Sequence, residues 1–129
     1  MDEKTKVTEL VLRYKEAICT QDKEAFRALW CEQEGNTLIS VTKRFEGTDR
    51  IVDDFLIGGI HASYETIDLI VDDVDVRLIT EDVAIVVFAY CTQCIRRETK
   101  EPYGIQGLET QVAIKENGEW KLAHVHYSK

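Results

Sequence analysis

Between Lys4 and Cys19 the apolar residues are Val7, Leu10, Val11, Tyr14 and Ile18, at offsets of three, four, seven and eleven from Val7. That spacing keeps them on one stripe of a helix, so it predicts an amphipathic helix here. Gln21-Asp22 breaks the pattern. Asp22 suits an N-cap, because its short carboxylate can accept from the free N–H groups of a first turn. It predicts a second helix from Lys23 to Trp30, burying Ala25, Phe26, Leu29 and Trp30. Gly35-Asn36 marks a turn, Leu38 to Val41 a short strand and Phe45-Glu46-Gly47 a loop. Thr48 is placed to cap a third helix from Asp49 to about Ile57, burying Ile51, Val52, Phe55 and Leu56. Gly58-Gly59 is expected to end it.

The second half alternates with period two. Tyr64 to Ile79 predicts a strand bent or bulged at Asp72-Asp73, and Val83 to Arg96 a long strand after the turn Thr80-Glu81-Asp82. Glu98 to Gly107 reads as a connection, Leu108 to Lys115 and Trp120 to Ser128 as the last two strands. Asn117-Gly118 between those strands is a strong hairpin signal, since both residue types tolerate positive φ. Helices first and an antiparallel meander after them predict an α+β fold in one domain, 1–129, with N-terminal helices on a curved, mostly antiparallel sheet. Val83, Ile85, Val87 and Ala89 alternate with Ala84, Val86 and Phe88, so the long strand is apolar on both faces. One face meets the helices. The other predicts a homodimer through the outer sheet face.

Charge and cysteines narrow the partners. The 129 residues carry a formal net charge of −8. A nucleic-acid backbone or an anionic membrane surface calls for a basic patch, so neither is expected as a partner. The charged start, Met1-Asp2-Glu3-Lys4, lacks the apolar segment of a secretory signal, and the expected location is cytoplasmic. Cys91 and Cys94 form a CxxC inside a predicted strand, where positions three apart point to opposite faces. A zinc knuckle needs its thiols to converge, so no metal is expected. With no P-loop, dinucleotide glycine motif or nucleophile elbow, no cofactor is expected either.

The ending Trp120-x-x-x-His124-x-His126-x-Ser128 follows the Asn117-Gly118 hairpin. Together with Asp22-Lys23-Glu24-Ala25, Phe45-Glu46-Gly47, Glu81-Asp82 and Glu109-Thr110-Gln111-Val112, it resembles the nuclear transport factor 2-like superfamily over nearly the whole chain. Within that superfamily the chain is similar to SnoaL-like and ketosteroid isomerase-like proteins and to the association domain of calcium/calmodulin-dependent protein kinase II. The resemblance implies a cone-shaped fold whose sheet wraps a pocket. It leaves the activity open among isomerases, dehydratases, cyclases and non-catalytic oligomerisation modules. It also implies that three pocket arginines of the kinase association domain are replaced here by Tyr90, Gln111 and Tyr127. An anionic ligand is therefore not expected, and a small, largely apolar molecule is.

The expected site follows from those positions. If Tyr90, Gln111 and Tyr127 face inward, Phe88 joins by alternation on its strand, Val125 on the last strand and Glu109 beside Gln111. Trp30 is added as aromatic bulk from the second helix. Such a wall, aromatic with a few polar groups, suits a small-molecule site. Asp68, between Ile67 and Leu69, and Glu109 are the candidate proton acceptors, because a carboxylate among apolar residues loses solvation and gains basicity. Tyr14, on the stripe of the first helix, is the candidate oxyanion donor. If Tyr127 faces the pocket, His124 and His126 face the other way. The expectation is thus a pocket protein, working as a cofactor-independent isomerase, dehydratase or cyclase, with a non-catalytic ligand-binding or assembly module as the alternative.

Overall fold

The computed structural model describes residues 2–129. Helix α1 spans Glu3–Thr20, with Asp2 as N-cap accepting from the Thr5 N–H at 2.8 Å. Its buried stripe is Val7, Leu10, Val11, Tyr14, Ala17 and Ile18. Gln21 takes the left-handed conformation, φ 54°, and stops it. Helix α2, Lys23–Ala28, starts on Asp22, which accepts from the Ala25 N–H at 3.1 Å. It ends before Trp30, which instead bridges to Leu122 of the last strand.

Helix α3, Thr48–Arg50, runs on into a wider π-helical segment, Ile51–His61. Thr48 does not cap it: the N-cap is Gly47, and the Thr48 hydroxyl accepts from Asn36 Nδ2 at 3.1 Å. Gly58-Gly59 does not end it either. A glycine stops a helix by turning left-handed, and the glycines with positive φ are Gly35, Gly47 and Gly118. A Cβ on Gly58 would lie 3.2 Å from the carbonyl oxygen of Asp53, five residues back.

The strands are β1 Thr37–Ile39, β2 Arg44–Glu46, β3 Tyr64–Thr80, β4 Val83–Arg96, β5 Pro102–Tyr103, β6 Gln106–Glu116 and β7 Glu119–Tyr127. They form one mixed sheet in the order β2-β1-β7-β6-β4-β3, with β5 on the end of β4. Only β1–β7 is parallel among these pairs. β2 and β5 lie in stretches that read as loops in the sequence. Each is too short to show a period and exists because it pairs with a neighbouring strand, β2 with β1 and β5 with β4.

Register irregularities interrupt the β3–β4 pairing at three points and the β6–β7 pairing at one, and two of them bear on the curl of the sheet. In β3 the register shifts between Asp72 and Asp75, and Asp73 has φ 51°. In β7, Ala113 pairs with Leu122 and Val112 with His124, which leaves Ala123 as an extra residue. An extra residue reverses the side-chain alternation beyond it. Trp120 and Leu122 are buried before the bulge, Val125 after it, and Tyr127 packs against the same core. The strict alternation that would group Trp120 and Leu122 with His124, His126 and Ser128 is thereby overturned. The two histidines lie on the outer face.

The curled sheet wraps α1, α2 and the π-helical segment as a half-barrel. Phe26 sits at the junction, with ring centroids 5.8 Å from Tyr14, 6.2 Å from Trp30 and 6.3 Å from Phe55. On β4 the inner row Ala84, Val86, Phe88 and Tyr90 is buried, while Val87 on the outer face is 36% exposed. No helix among the described residues is long and apolar enough to cross a membrane.

Candidate functional site

The half-barrel encloses a cavity of about 70 Å³. Its walls come from each layer of the fold: Tyr14 and Ile18 from α1, Phe55 and Ile60 from the π-helical segment, and Tyr64, Ile67 and Leu69 from β3. Tyr90, Thr92 and Cys94 of β4, Ile105, Glu109 of β6 and Tyr127 of β7 close the rest.

Glu109 is the chemical centre of this cavity. It lies on the inner face of β6, paired with Phe88 on one side and Tyr127 on the other, and is 2% exposed. Its neighbours in the sequence, Leu108 and Thr110, face outward, which is the period-two rule at work. Gln111, fully buried two residues on, donates its Nε2 to Glu109 Oε2 at 2.8 Å. The Tyr14 hydroxyl lies beside the same carboxylate and favours its charged form. Burial disfavours the charged form more than these two partners favour it, and the Glu109 pKa is pushed up to about 7. A group with that pKa can take or give a proton near neutrality.

The tyrosines respond to the same setting. Burial and the nearby Glu109 charge raise the Tyr14 and Tyr127 pKa values well above that of a free phenol, and that of Tyr90 to about 12. All three are therefore neutral hydroxyls. The Tyr90 hydroxyl donates to the Ser128 carbonyl oxygen at 2.6 Å. Its ring meets Tyr127 edge-on with centroids 5.8 Å apart. Tyr127 also contacts Phe55 at 6.2 Å, so β4, β7 and the π-helical segment hold one another in place.

Of the residues singled out in the sequence, Tyr14, Tyr90, Glu109 and Tyr127 line the cavity together. Gln111 lies behind Glu109 and supports it rather than facing the space. Phe88, Val125 and Trp30 are buried in the surrounding core outside the cavity wall. Asp68 lies elsewhere. It is exposed, on the opposite face of β3 from Ile67 and Leu69, and accepts a weak hydrogen bond from the Cys19 thiol at 3.6 Å. The expectation of Asp68 as a cavity base is corrected: its two apolar neighbours take the inward positions, and alternation turns it out. The flanking pair Ile67/Leu69 was the signal in the sequence. Ile60, Tyr64 and Ile105 were not anticipated: Ile60 and Ile105 reach the cavity from helix and loop segments, and Tyr64 from the first residue of β3, where packing alone sets the orientation.

Cys94 lines the cavity, whereas Cys91 is at an outward position of β4, and both are free thiols. Among the described residues no group of three or more His, Cys, Asp or Glu side chains is arranged to hold a metal.

Comparison with known proteins agrees with this architecture. A nuclear transport factor 2-like superfamily protein from Salmonella enterica serovar Typhimurium superposes with a TM-score of 0.92 at 24% identity, covering 97% of this chain and 89% of that one. A hexachlorocyclohexane dehydrochlorinase from Novosphingobium barchaimii gives 0.84 at 9% identity, covering 96% and 84%. A nuclear transport factor 2-like protein of unknown function from Shewanella oneidensis gives 0.76 at 17%, covering 99% and 100%. These likenesses establish the fold. No curated protein matches the sequence. The family model for the calcium/calmodulin dependent protein kinase II association domain matches residues 3–129, and the chain belongs to that family, on a nuclear transport factor 2-like fold.

Proposed function

We propose that this protein binds a small, largely apolar molecule in its half-barrel and moves a proton on it through Glu109, without a cofactor. The observation that carries the reading is a buried carboxyl group facing an apolar cavity, supported from behind by Gln111 and beside it by Tyr14. In this scheme Glu109 takes a proton from carbon, as an isomerase or dehydratase requires. Tyr14 is a positioning residue, because its hydroxyl serves Glu109. Tyr90 is committed to Ser128. The oxyanion role expected of Tyr14 passes to Tyr127, directly across the β6–β7 ladder from Glu109. The same fold in a dehydrochlorinase is compatible with elimination chemistry.

Proton exchange offers a test that needs no knowledge of the natural substrate. Cyclopentanone in deuterated buffer would lose its α-proton NMR signal faster with the protein than without it. Glu109→Gln would abolish the excess rate. An undiminished rate in that variant would remove Glu109 from the mechanism.

A second reading concerns assembly. The outer sheet face presents Val87 and Leu108, 36% and 58% exposed, beside Ile85, Val112 and Ile114 of neighbouring strands. An exposed apolar sheet face invites a partner. Family membership supports association, and we assign this face to a homodimer contact. The pocket and the outer face occupy opposite sides of the sheet, so the two functions are compatible.

A further inference from the structure

We propose that the polar end of the ligand is a protonated amine: the cavity is an ammonium site with the Glu109 carboxylate as counter-ion, ringed by aromatic side chains. This assignment rests on reading the cavity as a ligand site, and it does not require the proton-transfer step.

The charge inventory comes first. Among the described residues lining the cavity there is no Lys, Arg or His, and Glu109 is the one acid. Its polar neighbours, Gln111 and Tyr14, are neutral. Buried carboxylates are normally paired with a cation, because an unpaired charge in an apolar setting is costly. The upward pKa shift of Glu109 expresses that missing charge. A ligand that brings a positive charge satisfies the carboxylate, whereas a carboxylate or phosphate ligand meets like charge.

The aromatic content points the same way. Tyr14, Phe55, Tyr64, Tyr90 and Tyr127 all line this one small space. Aromatic rings attract ammonium groups through their quadrupole, and more strongly where water is excluded. The hydroxyls are set for a donor-rich ligand as well. Tyr90 gives its proton to the Ser128 carbonyl, so what it can offer the cavity is oxygen lone pairs. Tyr14 has its hydroxyl beside Glu109. An ammonium group has three donors and needs acceptors; a ketone needs donors, and the Tyr90 hydroxyl already donates to Ser128. The apolar wall of Ile18, Ile60, Ile67 and Leu69 then suits a short alkyl body. A cavity of about 70 Å³ is far below the roughly 300–1,000 Å³ of drug-sized sites.

The test compares n-butylamine with n-butanol, 2-butanone and butyrate, which are matched in size. Binding to the full chain is followed by calorimetry and by amide NMR shifts. At pH 8 butylamine should bind at least tenfold tighter than the two neutral probes, and butyrate should not bind. Amine affinity should fall roughly tenfold from pH 8 to pH 6, as the ionised fraction of Glu109 drops. Amine binding should release a proton near pH 7, read from calorimetry in buffers of different ionisation enthalpy. Glu109→Gln should lose the preference for the amine and keep binding of butanol. Tyr90→Phe, which removes the acceptor oxygen, should weaken the amine selectively. Equal or tighter binding of the neutral probes, or unchanged amine binding in Glu109→Gln, would overturn the ammonium assignment while leaving the cavity as a ligand site. If none of the probes perturbs cavity resonances, both readings fall.

Discussion

Gln111 and Glu109 sit two residues apart on the inner face of β6, with amide nitrogen and carboxylate oxygen 2.8 Å apart and both side chains buried. The amide can stabilise either protonation state of its neighbour, by donating to the anion or by accepting from the acid. Its second polar atom, Oε1, has no partner among the described residues. The pair is therefore an acid held in position but incompletely solvated, which is how a fold raises a carboxyl pKa.

That raised pKa predicts a pH dependence of stability. The folded pKa of about 7 exceeds the ordinary 4.5, so the folded state holds more protons between these values. Stability should accordingly fall as pH rises from about 4.5 to 7 and level off above it. The size is on the order of 3 kcal/mol, at 1.36 kcal/mol per pKa unit. Glu109→Gln should remove this contribution, gaining on the parent at pH 8 and matching it near pH 5. Urea denaturation of both proteins at the two pH values measures it.

Tyr14→Phe should raise the Glu109 pKa further, since it deletes a hydroxyl that favours the anion. The stability cost should be at most about 1 kcal/mol, the upper bound being the typical worth of one hydrogen bond. Carbon-detected NMR of the glutamate carboxyl reads the pKa directly. A downward shift would show that the hydroxyl acts on the acid form instead.

Gly107→Ala should disrupt the chain end. A Cβ there would lie 2.1 Å from the Ser128 carbonyl oxygen, which is backbone and is also the acceptor of the Tyr90 hydroxyl. The Ser128 N–H to Leu108 carbonyl bond, 3.0 Å, would be strained with it. The expected loss is about 1–3 kcal/mol, in the range of overpacked substitutions. Hydrogen exchange at Ser128 should rise more than at Ala84 in the core.

Val87→Asp with Leu108→Asp should convert a dimer to a monomer with little change in the circular dichroism spectrum, since both side chains are on the outer face. Light scattering of the parent should give twice the chain mass. A monomeric parent would remove the assignment of that face.

Deleting Ala123 should leave the fold intact. Ala123 is the extra residue of the bulge, so its removal lets alternation from Leu122 run on as His124 out, Val125 in, His126 out and Tyr127 in, the facing they already have. The amide NMR spectrum of the deletion variant should stay dispersed, and collapse toward that of an unfolded chain would show that the curl at the bulge is itself required.

The sequence by itself determined the elements whose signals are local. The stripe of α1, the Asp22 cap and the Asn117-Gly118 turn are each set by neighbours a few residues away, and all three are present. Period two placed Glu109 and Gln111 on one face of β6 and, with the family likeness, pointed that face inward. Tertiary structure alone decided the rest. The bulge at Ala123 arises because β7 must pair with β6 and β1 while keeping Trp120 and Tyr127 both inside, and no single residue announces it. Gly58-Gly59 continues a helix because packing of the π-helical segment holds both glycines out of the left-handed conformation. Asp68 could be turned either way by a one-residue change of register, and pairing with β4 fixed it outward. The acidity of Glu109 likewise belongs to the assembled fold, because the α1 tyrosine, the β6 amide and the apolar walls that shift it come from distant parts of the chain.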